Sequence, residues 1–94
     1  MHFEWDALKN LSNRAKHDID FETAQRVFAD PLHLTVHDQV IDLEMRWRTI
    51  GLVGDQLLVV VVHTDREDER GEPALRIISA RKATKHERRD YENG

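Results

Sequence analysis

Leu57-Leu58-Val59-Val60-Val61-Val62 is the stretch that decides how this chain folds. It is an unbroken apolar run, mostly β-branched, with Gly54-Asp55 before it and a charged stretch after it. Such a run reads as a central strand covered on both faces, because a half-exposed strand would alternate apolar and polar residues. A central strand needs neighbours on either side. Upstream, Leu43 to Leu52 reads as one of them, ending at Gly51 or near Gly54, with Gly54-Asp55 as the hairpin turn. Before that, Leu32, Leu34 and Val36 alternate with His33, Thr35 and His37, the pattern of a half-exposed strand. Downstream, the charged segment from Asp65 to Pro73 is an exposed turn, and Leu75 to Ser79 is the last strand.

Helices flank this sheet in the sequence. Asp6 is placed to cap a first helix through about Lys16, with Leu8, Leu11 and Ala15 on one face at 3- and 4-residue spacing, expected to pack inward. Asp20 caps a second helix, with Ile19 stapled to Ala24. Phe21, Ala24, Val27 and Phe28 face the core, and Asp30-Pro31 ends the helix because a residue before proline avoids helical geometry. Thr84-Lys85-His86-Glu87 is a capping box that starts a third helix, running to about Glu92. The expected order is ααββββα. This is an α+β class with two N-terminal helices, a four-stranded, mostly antiparallel sheet and a C-terminal helix. Ninety-four residues give one domain over 1–94.

Charge is unevenly distributed. Residues 1–75 carry 8 Lys+Arg against 15 Asp+Glu, whereas residues 76–94 carry 6 against 3. A basic end on an acidic chain points to an anionic partner. There is no cysteine, so disulfides, thiolate zinc sites and a cysteine nucleophile are excluded. No apolar run approaches the roughly 20 residues that cross a membrane, and the acidic, aromatic start Met1-His2-Phe3-Glu4-Trp5-Asp6 is no signal peptide. A cytoplasmic location and no membrane association are the expectation.

Arginines are the residues with most chemical potential. Arg46 and Arg48 share one face of their strand, with Trp47 on the other. Arg66 follows the central strand, Arg76 and Arg81 bracket the last one, and Lys85, Arg88 and Arg89 lie on the final helix. Guanidinium groups fork onto phosphate oxygens and stay charged at physiological pH, so several on one face would hold an RNA or DNA backbone. Arg76 and Arg81 are five apart and share a face only if the chain turns after Ser79. The bland alternative is solvated ion pairing with the chain's many acids. The histidines do not suggest a metal. His33 and His37, four apart on a strand, are separated by roughly 13 Å at about 3.3 Å per residue, too far to share one zinc. Phosphate-loop and nucleophile-elbow motifs are absent. Phosphate chemistry here would therefore be metal-free, using the ribose 2′-hydroxyl, with His17, His63, His86 and Lys9 as available proton carriers and Glu87 as a weaker one.

The residues resemble the BrnT family, the toxins of BrnT–BrnA type II toxin–antitoxin systems. The resemblance runs through Phe3-Glu4-Trp5-Asp6, Lys9, Asn13, Lys16-His17, Phe21-Glu22, Ala24, Val27-Phe28 and Asp30-Pro31. It continues through Arg46, Ile50-Gly51, the valine-rich strand into His63-Thr64 and Arg66, and Arg76-Ile77-Ile78-Ser79-Ala80-Arg81 with Ala83, Glu87-Arg88 and Tyr91. It implies a RelE-like ribonuclease fold, arrest of translation by RNA cleavage without a cofactor, and a BrnA-like ribbon-helix-helix antitoxin. Operator DNA would be bound only through the toxin–antitoxin complex. By the same resemblance Arg66 and Arg81 grip and stabilise the scissile phosphate, and His17 or Lys9 assists proton transfer. Arg46, Arg48, Arg76, Lys85 and Arg88 would contact RNA. The rival reading is a non-catalytic RNA- or protein-binding module using the basic face. Two departures from the family stand out. Asp18 replaces the glycine expected after Lys16-His17, at a place where aspartate tolerates a left-handed turn. The acidic segment Glu67-Asp68-Glu69-Arg70-Gly71-Glu72 lengthens the last hairpin beside Arg66 and is expected to weaken its pull on RNA. Exposed strands leave a homodimer or an antitoxin-covered edge open.

Overall fold

The computed structural model describes residues 1–94 as a five-stranded sheet with three helices. The strands are β1 (His2–Glu4), β2 (Leu34–Ile41), β3 (Glu44–Val53), β4 (Leu57–Glu67) and β5 (Pro73–Lys82). The helices are α1 (Ala7–His17), α2 (Phe21–Ala24), which runs on into a 3-10 turn over Gln25–Ala29, and α3 (Lys85–Asn93). The sheet order is β1-β5-β4-β3-β2, antiparallel except for the parallel β1–β5 pair. The α+β class therefore holds, but the expected four strands are five. The additional strand pairs His2, Phe3 and Glu4 with Ala74, Leu75 and Arg76. Three residues are too few to show a period, so this edge is set by its partner and not by local pattern.

Capping chemistry places the helices as the sequence implies. Asp6 accepts from the Leu8 and Lys9 amides, and Asp20 from the Thr23 amide. In α3 both halves of the Thr84–Glu87 capping box are formed. These contacts satisfy amides that have no partner inside the helix. Asp18 ends α1 at φ 59° and ψ 31°, so the left-handed turn survives without glycine. The main core lies between the sheet and the N-terminal helices, with Ile19, Phe21, Ala24, Val27, Val59, Val61 and Ile77 at its centre. A smaller cluster of Ile50, Leu58 and Val60 lies on the other face, under Ala83 and Tyr91 at the α3 end. Val59 and Val61 point one way and Leu58 and Val60 the other, so the central run is covered on both sides. Gly51 lies where β3 passes the 3-10 turn. A Cβ there would sit 2.7 Å from Val27 Cγ1 and 2.8 Å from the Val27 carbonyl oxygen.

Leu32 lies in a turn before β2, 70% exposed, and β4 runs on through residues 65–67 where an exposed turn is expected. Two further expectations are also overturned. Leu43 does not begin a strand. With Asp42 it forms the β2–β3 turn, both at positive φ (51° and 65°), and its side chain is fully exposed. Nor does α1 turn Leu8, Leu11 and Ala15 inward. Leu8 is 76% and Leu11 61% exposed, Ala15 is exposed too, and Asn13 is the buried residue of the helix. The reason is what α1 packs against. Beyond β1, the outer edge of β5 presents bare backbone groups, and Asn13 matches them. Its Nδ2 donates to the Ala80 and Ile19 carbonyls at 2.8 Å each, and its Oδ1 accepts from the Ala80 amide at 3.1 Å. Asn10 Oδ1 accepts the Phe21 amide at 2.8 Å. A polar docking face outcompetes the leucines because buried backbone groups must be paired.

Candidate nucleic-acid interface

Strand parity organises the sheet face opposite the main core. On β3, Arg46 and Arg48 alternate with Trp47, whose ring stacks edge-on against His37 on the helix side. Trp47 pairs with His63, so Arg46 lies beside Thr64 and Arg48 beside Val62. On β5, Thr64 pairs with Arg76 and Val60 with Arg81. Thr64 and Val60 are four residues apart on one strand, so they share a face, and Arg76 and Arg81 share it with them. Five residues apart on β5, those two arginines would ordinarily point oppositely. A bulge corrects the phase: Val62 pairs with Ser79 and His63 with Ile77, leaving Ile78 as the extra residue. The turn in phase thus lies just before Ser79 and not after it. Arg46, Arg48, Arg66, Arg76 and Arg81 consequently stand on a single face.

Carboxylates edge this face. Arg81 makes a two-pronged contact with Glu87, Nη1 to Oε1 at 2.6 Å and Nη2 to Oε2 at 2.9 Å. Glu87 also lies 3.7 Å from Arg48 Nε, and Arg48 Nη1 reaches Asp38 at 3.2 Å. Arg66 pairs with Glu44 at 3.4 Å and Arg76 with Glu4 at 3.8 Å. Arg46 makes no ion pair, and its Nε is buried without a partner. Beside it Thr64 is fully buried, its hydroxyl also unpartnered. Arg46 and Arg76 flank Thr64 from the two neighbouring strands, two inter-strand spacings apart, roughly 10 Å between backbones. Two guanidinium groups at that separation can lean over one phosphate.

Arg66 and Arg81 do not meet. Arg81 is level with Val60, and Arg66 is six residues along the same strand, roughly 20 Å at about 3.3 Å per residue. Register therefore sets the two arginines at opposite ends of the face. Arg66 lies instead in a polar cleft with His2, Glu4, Arg76 and the turn residues Glu67, Asp68, Glu69 and Arg70, which puts the acidic segment against it. His17 ends α1 two residues before Ile19, whose carbonyl Asn13 joins to the Ala80 backbone, but Ala80 points to the helix side and Arg81 to the arginine face. Lys9 is exposed on α1 and its ammonium group is in no ion pair. Lys85 and Arg88 are exposed on α3, over the same face as the arginines.

His63 is set apart from this chemistry. It faces the main-core side, its ring edge-on to Phe28 and its Nε2 2.7 Å from Thr49 Oγ1. Burial pushes its pKa down to about 4, against a weaker opposing pull from Asp65. A histidine neutral when folded and protonated below pH 6.5 when unfolded costs stability as pH falls from 6.5 towards 4. The loss approaches about 3 kcal/mol at the low end of that window. His63→Gln should remove it: urea unfolding at pH 7 and pH 4.5 should show a much larger drop for the parent than for the variant. Equal drops would show that His63 is not the group responsible. No three His, Cys, Asp or Glu side chains converge as a metal site would require.

Sequence reasoning underrated Glu87 and passed over Thr64 as a contributor to the face. The Arg81 hydrogen bonds, opposed by burial and assisted by the Thr84 amide, hold the Glu87 carboxyl at about 2. It is an ionised brace for Arg81 and Arg48 and no proton donor at neutral pH. The capping box located Glu87 but gave no sign that the same carboxylate reaches back across the face. Thr64 looked like an ordinary strand residue, and only the burial of its hydroxyl between two arginines marks it.

The family model described as ribonuclease toxin, BrnT, of type II toxin-antitoxin system matches residues 5–87. Among solved structures, the Brucella abortus ribonuclease toxin BrnT, determined by crystallography at 1.1 Å, is similar, with a TM-score of 0.63 and 24% sequence identity. The match covers 90% of this chain and 99% of that one, and it carries the fold. No curated protein matches. No helix is long and apolar enough to cross a membrane.

Proposed function

Since the chain belongs to the BrnT family of ribonuclease toxins of type II toxin–antitoxin systems, we propose that it is a metal-independent endoribonuclease that arrests translation by cutting RNA along the arginine face. Its fold is RelE-like in this reading, residues 1–94 form a single toxin domain, and it acts in the cytoplasm. A BrnA-like ribbon-helix-helix antitoxin neutralises it, and the pair together bind operator DNA. The observation that carries the reading is the bulge at Ile78, which puts Arg81 in phase with Arg76 and so completes a face of five guanidinium groups. A face of fixed cations tracks a phosphate backbone and can stabilise the extra charge of a phosphorane.

The reaction is transfer within the RNA. The ribose 2′-oxygen forms a bond to the adjacent phosphorus as the bond to the 5′-oxygen breaks, leaving a 2′,3′-cyclic phosphate and a 5′-hydroxyl. One proton leaves the 2′-hydroxyl for a base, and another reaches the departing 5′-oxygen from an acid. Arg81 is assigned to the scissile phosphate, and His17 to proton transfer. Arg46 and Arg76, over Thr64, hold a flanking phosphate with Arg48 alongside. Arg66, Lys85 and Arg88 supply more distant attraction. Lys9 lies eight residues before His17 on α1, roughly 12 Å at about 1.5 Å per residue, and has no part in proton transfer in this reading. Purified protein incubated with RNA, with and without a chelator, tests this directly. Cleavage to 2′,3′-cyclic ends at equal rates in both is the expected result. Loss of cleavage on chelation would end the metal-independent mechanism, and RNA left intact under both conditions would favour a binding module.

A further inference from the structure

The outward face of α1 has no partner in the chain. Leu8, Leu11 and Ala15 recur at 3- and 4-residue spacing along it, and Ala7 extends the stripe. All four are exposed, while the opposite, asparagine-bearing side docks on β5. Lys9 and Lys16 border the stripe on one side and Arg14 on the other, as helical spacing dictates. None of the three is in an ion pair, and α1 carries no acidic residue at all. In a chain of net charge −4 this is a basic surface with an apolar centre, its cations in no contact ion pair although Asp6 lies near Lys9 and Asp20 near Arg14. The arginine face differs, because four of its five arginines already have a carboxylate partner.

We propose that this face of α1 is the docking site for an acidic amphipathic segment of the protein antitoxin. The segment's apolar residues would cover Leu8 and Leu11, and its carboxylates would meet Lys9, Arg14 and Lys16. Apolar anchors ringed by complementary charge are what a partner segment needs for affinity and for choice of partner. A second copy of the chain fits badly. A two-fold contact sets the same patch against itself and would bring like charges together. The proposal rests on membership of a type II toxin family and not on which residues cut RNA.

The test titrates the toxin with a purified BrnA-like ribbon-helix-helix antitoxin, measuring RNA cleavage on the same toxin preparations. Leu8→Glu/Leu11→Glu should weaken antitoxin binding by at least about 100-fold. Its circular dichroism and RNA cleavage should match the parent, since both leucines are exposed. Arg14→Glu/Lys16→Glu should weaken binding by about tenfold and flatten its salt dependence. Antitoxin binding by the leucine variant at parental affinity would overturn the proposal. So would a toxin dimer that this variant disperses on sedimentation, or binding to phosphatidylserine/phosphatidylcholine vesicles that depends on the two leucines while antitoxin binding does not. If the parent leaves RNA intact, the cleavage assignment fails, but the binding comparison is unaffected.

Discussion

Arg81→Ala should slow RNA cleavage by about 10²–10³-fold at saturating RNA, the usual consequence of removing one donor from a charge-stabilising site. Arg66→Ala should change the same rate by less than about tenfold. The contrast follows from register, since the two arginines are roughly 20 Å apart and Arg66 is held among the acids of the β4–β5 turn. Arg46→Ala and Arg76→Ala should behave in a third way, raising the RNA concentration needed for half-maximal rate while sparing the rate at saturation. That pattern marks binding made equally in ground and transition states. Arg81→Lys separates charge from geometry, because lysine keeps the charge but loses the planar fork. Single-turnover cleavage of a defined RNA, with thermal unfolding of each variant as a control for folding, reads all of these. If Arg66→Ala proves as damaging as Arg81→Ala, the division of the face into a reacting end and a distant end is wrong.

Glu87→Gln should cost about 3 kcal/mol of stability, because a buried carboxylate that several cationic groups depend on is expensive to remove. In a chain of this size that is a fall in melting temperature of roughly 4–8 °C per kcal/mol. Two guanidinium groups lose their shared partner, and half of the capping box at α3 is weakened. The pH dependence has a fixed sign. A carboxyl whose folded pKa is depressed from 4.5 to about 2 adds stability above pH 4.5 and loses it as pH falls through 2. Melting curves between pH 5 and pH 2 should therefore converge for parent and variant as acid is added. Parallel curves across that range would show that Glu87 is not the titrating brace. This window lies below that of His63, so the two groups can be separated in one pH series.

Local chemistry was largely legible in the sequence. Asp6, Asp20 and the Thr84–Glu87 pair announce helix starts because only a few side chains can satisfy free amides at those positions. The valine run announces a strand covered on both faces, and Asp18 holds the left-handed turn that its short polar side chain allows. What escaped was set by distant partners. The leucine stripe of α1 predicts an inward face only if the surface beneath is apolar, and here it is the backbone edge of β5. The arginine face depends on one unpaired residue, Ile78, whose effect on phase leaves no trace in composition or period. The separation of Arg66 from Arg81 was hidden for a related reason: a motif gives two residues but not the strand length between them.

The sheet order joins the beginning of the chain to its end. β1 and the Asn13 side of α1 are completed only by β5, 67 residues later in the case of Asn13 and Ala80. Synthesis at roughly 5–20 residues per second therefore leaves the N-terminal helix without its seat for several seconds. Pairings of such long sequence separation also form late in folding. Arg76 and Arg81 are on that same last strand, so the arginine face does not exist on the nascent chain. In the proposed mechanism, the nascent chain therefore has no RNA-cutting face before β5 has been made and paired.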